Sequence, residues 1–223
     1  MVLSLSKLST TKFLQNKEKQ MKVVVFVDVQ NDFIDGALSV DKNKDVTKKI
    51  RKYAYICKCE HVPMLATRDT HEKSDSLPES ADGTIPEKHV GYLATLEGQK
   101  LPIEHCIEGT DGWKIDEGLA EYIPVYNIVN KQTFGSINDL PQRLCNIDHS
   151  LKDIYSEGVT EIELCGFCAS ICVISNALIL RAAYPNLKIS ILKNLCGDIN
   201  EASMNAALII AKNCQIDVVD AIV

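Results

Sequence analysis

The run KVVVFVDV at residues 22–29 constrains this chain more than any other feature. A strand exposed on one face alternates apolar with polar residues, whereas an unbroken β-branched run marks a strand buried on both faces. Such a strand belongs in the interior of a sheet covered on both sides. Further strand-sized runs follow at HVPMLATRD (61–69), IPVYNIVN (123–130), TEIELCGF (160–167), LKISILKN (187–194) and QIDVVDA (215–221). Between them, residues 43–60, 139–157, 170–184 and 201–213 carry apolar residues at helical spacing. The first of these places Val46, Ile50, Tyr53, Ala54 and Cys57 on one face. Strands alternating with helices pair in parallel through right-handed crossovers. The expected fold is α/β: a doubly wound, Rossmann-like open sheet of about six parallel strands with helices on both faces. Residues 21–223 contain no repeat or linker and read as a single domain. Residues 70–122 stand apart as a long, polar, Gly- and Pro-punctuated connection, a length that usually signals function.

Composition excludes several classes of partner. A net charge of −6 and a pI near 5.4 argue against nucleic acid or an anionic membrane surface. No apolar run approaches the roughly 18 residues of a membrane span. The nine cysteines are odd in number and no signal-peptide pattern opens the chain, so a reducing compartment, the cytoplasm, is expected. Residues 1–20, rich in Ser, Thr and Lys with Glu18 as the one acid, precede a second methionine at Met21. Two readings stand for this extension: a disordered or untranslated leader, and an organellar targeting segment.

In an open parallel sheet the carboxyl ends of the strands form the binding crevice. The first strand delivers Asp28 there, with Gln30, Asp32 and Phe33 behind it. The second delivers Arg68, Asp69 and His71, the third Lys131, and the fourth Gly166 and then Cys172 at a helix start. Taken singly, Asp28 is equally a turn acid, Lys131 a solvated lysine and Cys172 a packed helix residue. Cys168 and Cys172 are also spaced as a C-x3-C pair, which leaves redox or metal chemistry open. Gathered on one edge, an acid, a lysine and a cysteine suit acyl transfer. Cys172 is the nucleophile, Asp28 the proton shuttle and Lys131 their electrostatic partner. The backbone N–H groups of Cys168 and Cys172 are positioned for an oxyanion. A helix start and a nearby lysine are expected to bring the Cys172 thiol below its reference pKa of about 8.5.

The segments VDVQNDF (27–33), ATRDTH (66–71), HCIEGT (105–110), NKQTFGS (130–136) and GFCASICV (166–173) together resemble the isochorismatase-like cysteine hydrolases, and among them the nicotinamidase branch. The resemblance implies the triad Asp28, Lys131 and Cys172, and a cis peptide between Phe167 and Cys168. It also implies a divalent metal on Asp69, His71 and His105, with Glu97 as a further ligand; zinc is expected first, iron or manganese as alternatives. Phe33 and either Trp113 or Phe134 are the aromatic candidates for holding substrate. The implied reaction is nicotinamide plus water to nicotinate plus ammonia, a step of NAD metabolism. The alternatives are another small amide, ureido or carbamoyl substrate, or a catalytically silent binding member. A homo-oligomer is also in keeping with the family. The chain departs from the pattern at Ala169-Ser170, where Thr-Asp is common, and at Leu101-Pro102 and Asn138, where relatives carry aromatics. His61, His89 and His149 read as surface histidines.

Overall fold

Strand β1 (Lys22–Val27) lies inside the sheet, and Val23 through Val27 are without solvent exposure, as the unbroken apolar run requires. The computed structural model describes residues 21–74, 91–155 and 158–223; the extension 1–20 and His89 lie outside the described residues. After β1 come α1 (Asn31–Ile34), α2 (Asp45–Cys59), β2 (Met64–Asp69), α3 (Leu96–Lys100), α4 (Glu117–Ala120) and β3 (Ile128–Lys131). The chain continues through α5 (Asp139–Tyr155), β4 (Glu161–Gly166), α6 (Ile174–Ala183), β5 (Lys188–Cys196), α7 (Glu201–Asn213) and β6 (Asp217–Val219).

The six strands form one sheet in the order β3-β2-β1-β4-β5-β6, every pair parallel. From β1 the chain winds outward one way through β2 and β3, then returns to the other side of β1 and winds through β4, β5 and β6. Right-handed crossovers in opposite directions put α2 on one face and α6 and α7 on the other. The winding reverses between β1 and β4, and a crevice opens there at the carboxyl ends of the strands.

Helix α2 buries Ile50, Tyr53, Ala54 and Cys57, the face its spacing predicts. The third strand differs from the sequence reading. It was expected over 123–130, but Pro124 and the 3-10 turn Val125–Asn127 occupy its first half and pairing begins at Ile128. Proline donates no ladder hydrogen bond, and Val125 and Tyr126 are 82% and 69% exposed, so this apolar run has no sheet neighbour to bury it. The helix expected at 170–184 is also divided: a π-helical turn over Ala169–Val173 precedes α6. No helix among the described residues is long and apolar enough to cross a membrane.

Candidate active site

Sheet register brings the charged groups together. Asp69 and Lys131 are directly paired across β2 and β3, so their side chains leave the same face. Asp28 follows the last residue of β1 with φ +50°, and this turn sends its carboxyl back over the strand ends. There Asp28 Oδ2 lies 2.7 Å from Lys131 Nζ, and Oδ1 accepts a 2.7 Å hydrogen bond from Thr67 Oγ1. The same ammonium is 3.3 Å from Asp69 Oδ1 and 3.7 Å from Cys172 Sγ. Asp28, Lys131 and Cys172, predicted from three distant segments, therefore meet around one nitrogen, and all are buried.

The cysteine arrives there through the end of β4. Gly166 has φ +129°, and a Cβ on it would meet the Val27 carbonyl oxygen at 2.0 Å, so only glycine lets β4 close against β1. The Phe167–Cys168 peptide is cis, as the resemblance implies. In the π-helical turn, the N–H groups of Ala169, Ile171 and Val173 bond to backbone carbonyls, and that of Ser170 to Asp198 Oδ2 at 2.6 Å. Among the described residues the N–H of Cys168 makes no such bond. Asn176 ties this turn to the loop after Lys131: it donates to the carbonyls of Cys172 and Phe134 and accepts from the N–H of Ser136.

Electrostatics overturn one expectation. Burial pushes the Cys172 thiol well above its ordinary range; Lys131 opposes this, while Asp28 and Asp69 add to it. Lys131 is shared between two carboxylates, so its charge does not outweigh desolvation of the sulfur. The direction is opposite to the acidic thiol expected from a helix start and a lysine. Burial also raises the Asp28 carboxyl above its ordinary 3.8, with Lys131 pulling it back and Asp69 raising it again. For Lys131, burial favours the neutral amine, but Asp28, Cys172 and Asp69 together hold the ammonium well above its usual pKa.

Beside this triad the nitrogen and oxygen donors of Asp69, His71 and His105 all lie within 4.8 Å of one another. Asp69 Oδ2 is 2.8 Å from His71 Nε2 and 3.5 Å from His105 Nε2. His71 Nε2 is buried and, apart from this charged approach, has no hydrogen-bond partner. His105 Nδ1 sits 2.9 Å from the Ile103 carbonyl, which only accepts; Nδ1 therefore carries the proton and Nε2 offers its lone pair. Two buried imidazole nitrogens and a carboxylate converging in this way form a donor set suited to a divalent metal. Glu97 Oε1 stands 3.7 Å from His105 Nε2, at the margin of this group. Burial and the charge of Asp69 hold its carboxyl above the usual range.

A cavity of about 470 Å³ opens onto Cys172 and this cluster, with Phe33, Phe134, Asp69, Glu97 and His105 in its wall. Trp113, the alternative aromatic candidate, is not brought there. Arg68 stacks on its ring at 3.5 Å and its indole N–H donates to Thr70 Oγ1 at 2.9 Å, which fixes it behind β2. Several supporting residues were missed in the sequence. Thr67 braces Asp28. Gln30 bridges β1 to β2 by accepting from the N–H of Asp69 and donating to its carbonyl. Tyr92 packs its ring 4.7 Å from that of His71 and 4.9 Å from that of His105. Gln30 and Thr67 stood in the quoted motifs but bear no reactive group, and Tyr92 has no spacing that marks it.

A model of the Isochorismatase domain matches residues 22–222. Among solved structures, the chain is similar to a pyrazinamidase of Pyrococcus horikoshii in complex with zinc (22% identity, TM-score 0.61, covering 90% of this chain and 99% of that one). It is also similar to a nicotinamidase/pyrazinamidase from Bacillus subtilis (19% identity, TM-score 0.65, 89% and 99% covered). A third is an N-carbamoylsarcosine amidase from Thermoplasma acidophilum (18% identity, TM-score 0.59, 89% and 95% covered). At these identities the likeness carries the fold alone. No curated protein sequence matches the chain significantly.

Proposed function

The chain belongs to the isochorismatase-like hydrolase family, and from that premise we propose that it is a cysteine-nucleophile amidohydrolase of nicotinamidase type, releasing ammonia from nicotinamide or a related small amide. The observation that carries this reading is the Lys131 ammonium set 2.7 Å from Asp28 and 3.7 Å from Cys172, with Cys172 itself lining a cavity. Cys172 Sγ attacks the amide carbon while its proton passes to the Asp28 carboxylate. Lys131 keeps that carboxylate ionised and stabilises the sulfur as it loses its proton. The N–H groups of Cys168 and Cys172 receive the oxyanion. Asp28 returns the proton to the departing nitrogen, ammonia leaves, and a thioester remains. Water, deprotonated by Asp28, then attacks the thioester and frees the acid and the thiol.

Asp69, His71 and His105, with Glu97 beside them, would hold a divalent metal, zinc first by its donor set. Bound there, the metal supplies a Lewis-acidic anchor that orients the substrate. Asp69 touches both groups of residues, one oxygen facing the histidines and the other Lys131.

Ammonia release from nicotinamide by the wild type and by Cys172→Ala tests the reading. The variant is expected to lose turnover, and rapid quenching of the wild type to yield a nicotinoyl adduct on Cys172 by mass spectrometry. Equal rates in the two proteins would rule out the covalent route.

A further inference from the structure

The cavity is larger than one aromatic ring requires, and its wall is largely apolar. A dry cavity of about 150 Å³ is enough to take up benzene, and the space in front of Cys172 is about 470 Å³. Its polar groups gather at the reactive end, where Asp69, Glu97, His105 and Cys172 stand. Away from that end the described wall is apolar: Leu38, Val40, Leu101, Ile171 and Ile199 are aliphatic, and Phe33 and Phe134 are aromatic. Ser39 spends its hydroxyl on the Ile34 carbonyl at 2.8 Å, and Lys42 is exposed to solvent.

Two of the apolar side chains are left uncovered. Phe134 is 47% and Ile199 65% exposed, although both face the cavity. An exposed apolar surface in a concave site, continuous with a cluster of convergent polar groups, is the ordinary form of a pocket for an apolar ligand body carrying one polar head. One flank of the cluster is aliphatic. Leu101 stands in the wall, and Trp113 is held away by Arg68 and Thr70.

From these observations we propose that the site selects primary amides by the apolar hydrocarbon bulk of the acyl group, the amide meeting Cys172 and the hydrocarbon lying against Leu38, Val40, Phe134 and Ile199. This rests on the amidohydrolase reading above and specifies the acyl group it takes. Ile199, just beyond β5, and Leu38, in the loop after α1, are then specificity-determining residues, remote from the reacting atoms.

Binding can be measured apart from turnover. Full-length Cys172→Ala, titrated by isothermal calorimetry with propanamide, butanamide, pentanamide and hexanamide, is expected to gain about fourfold in affinity per methylene. Hexanamide should bind more tightly than nicotinamide. Introducing Ile199→Asn alongside Cys172→Ala should reduce the hexanamide-to-propanamide affinity ratio at least about threefold. Ile199 is largely exposed, so this change leaves the core intact. Affinities constant within twofold along the series, nicotinamide as the tightest ligand, or a ratio untouched by Ile199→Asn would each overturn the proposal. Ammonia release by the wild type is read separately. Its failure with every amide would reject the amidohydrolase reading while the binding series still decides what the cavity accepts.

Discussion

Replacing Thr67 with valine isolates the hydrogen bond that braces Asp28, the proposed proton shuttle. The two side chains are nearly the same shape, and Thr67 is fully buried, so the change removes a hydroxyl without opening a cavity. That hydroxyl donates to Asp28 Oδ1 at 2.7 Å and receives the Asp28 N–H at 3.2 Å. A buried hydrogen bond to a charged group contributes about 1.5–3 kcal/mol, equivalent to roughly 1–2 pKa units at 1.36 kcal/mol each. The bond favours the ionised carboxyl, so its loss moves the Asp28 pKa further above the ordinary 3.8. If Asp28 must be ionised to accept the thiol proton, the acidic limb of the kcat/KM profile should shift upward by about 1–2 pH units. Stability should follow with a defined sign. Because the folded pKa is raised, the stability linked to this group is full below the unfolded value and is lost as pH rises through the folded one. The variant's extra destabilisation, about 1.5–3 kcal/mol at neutral pH, should therefore shrink as pH falls toward 4. Urea unfolding at several pH values and a pH–rate profile measure both effects. A folded Thr67→Val protein with an unmoved acidic limb would refute the assignment of Asp28 as the shuttle.

Three further outcomes follow from other parts of the structure. Asp116, 4% exposed, accepts from Arg51 Nε at 2.8 Å and caps α4 through the N–H of Leu119. Asp116→Ala should cost about 2 kcal/mol in urea unfolding, and a loss under 0.5 kcal/mol would mean the pair is ornamental. Gly166→Ala forces a Cβ against the Val27 carbonyl, so it should destabilise by about 3 kcal/mol or more or leave no soluble protein; a wild-type melting temperature would contradict the close approach. His71→Ala should weaken zinc retention at least about tenfold, read by elemental analysis after gel filtration, and chelation of the wild type should abolish amide turnover until zinc is returned. Equal zinc content in variant and wild type would dissociate His71 from the metal.

The unbroken run at 22–29 was enough to place β1 in the sheet interior, because burial on both faces leaves its mark on every residue of a strand. The alternation that followed was enough for a parallel, doubly wound sheet, since crossovers between parallel strands admit few other arrangements. Asp28, Asp69, His71 and Lys131 were readable for a related reason: each bears a reactive group at or just beyond a strand end, and strand ends share one edge, with Cys172 in the turn that follows β4; His105, in the loop between α3 and α4, came only from the resemblance. Tertiary structure decided matters that depend on sums over neighbours. The Cys172 thiol is raised rather than lowered because desolvation and two carboxylates outweigh one ammonium, a balance that exists only once the strands are paired. Val125 and Tyr126 look like strand residues by composition, yet Pro124 and the absence of a pairing partner leave them exposed. Thr67, Gln30 and Tyr92 support the site through a hydroxyl, an amide and a ring edge. Their importance comes from what lies 39 residues away along the chain, as for Thr67 and Asp28, and local spacing carries no trace of such contacts.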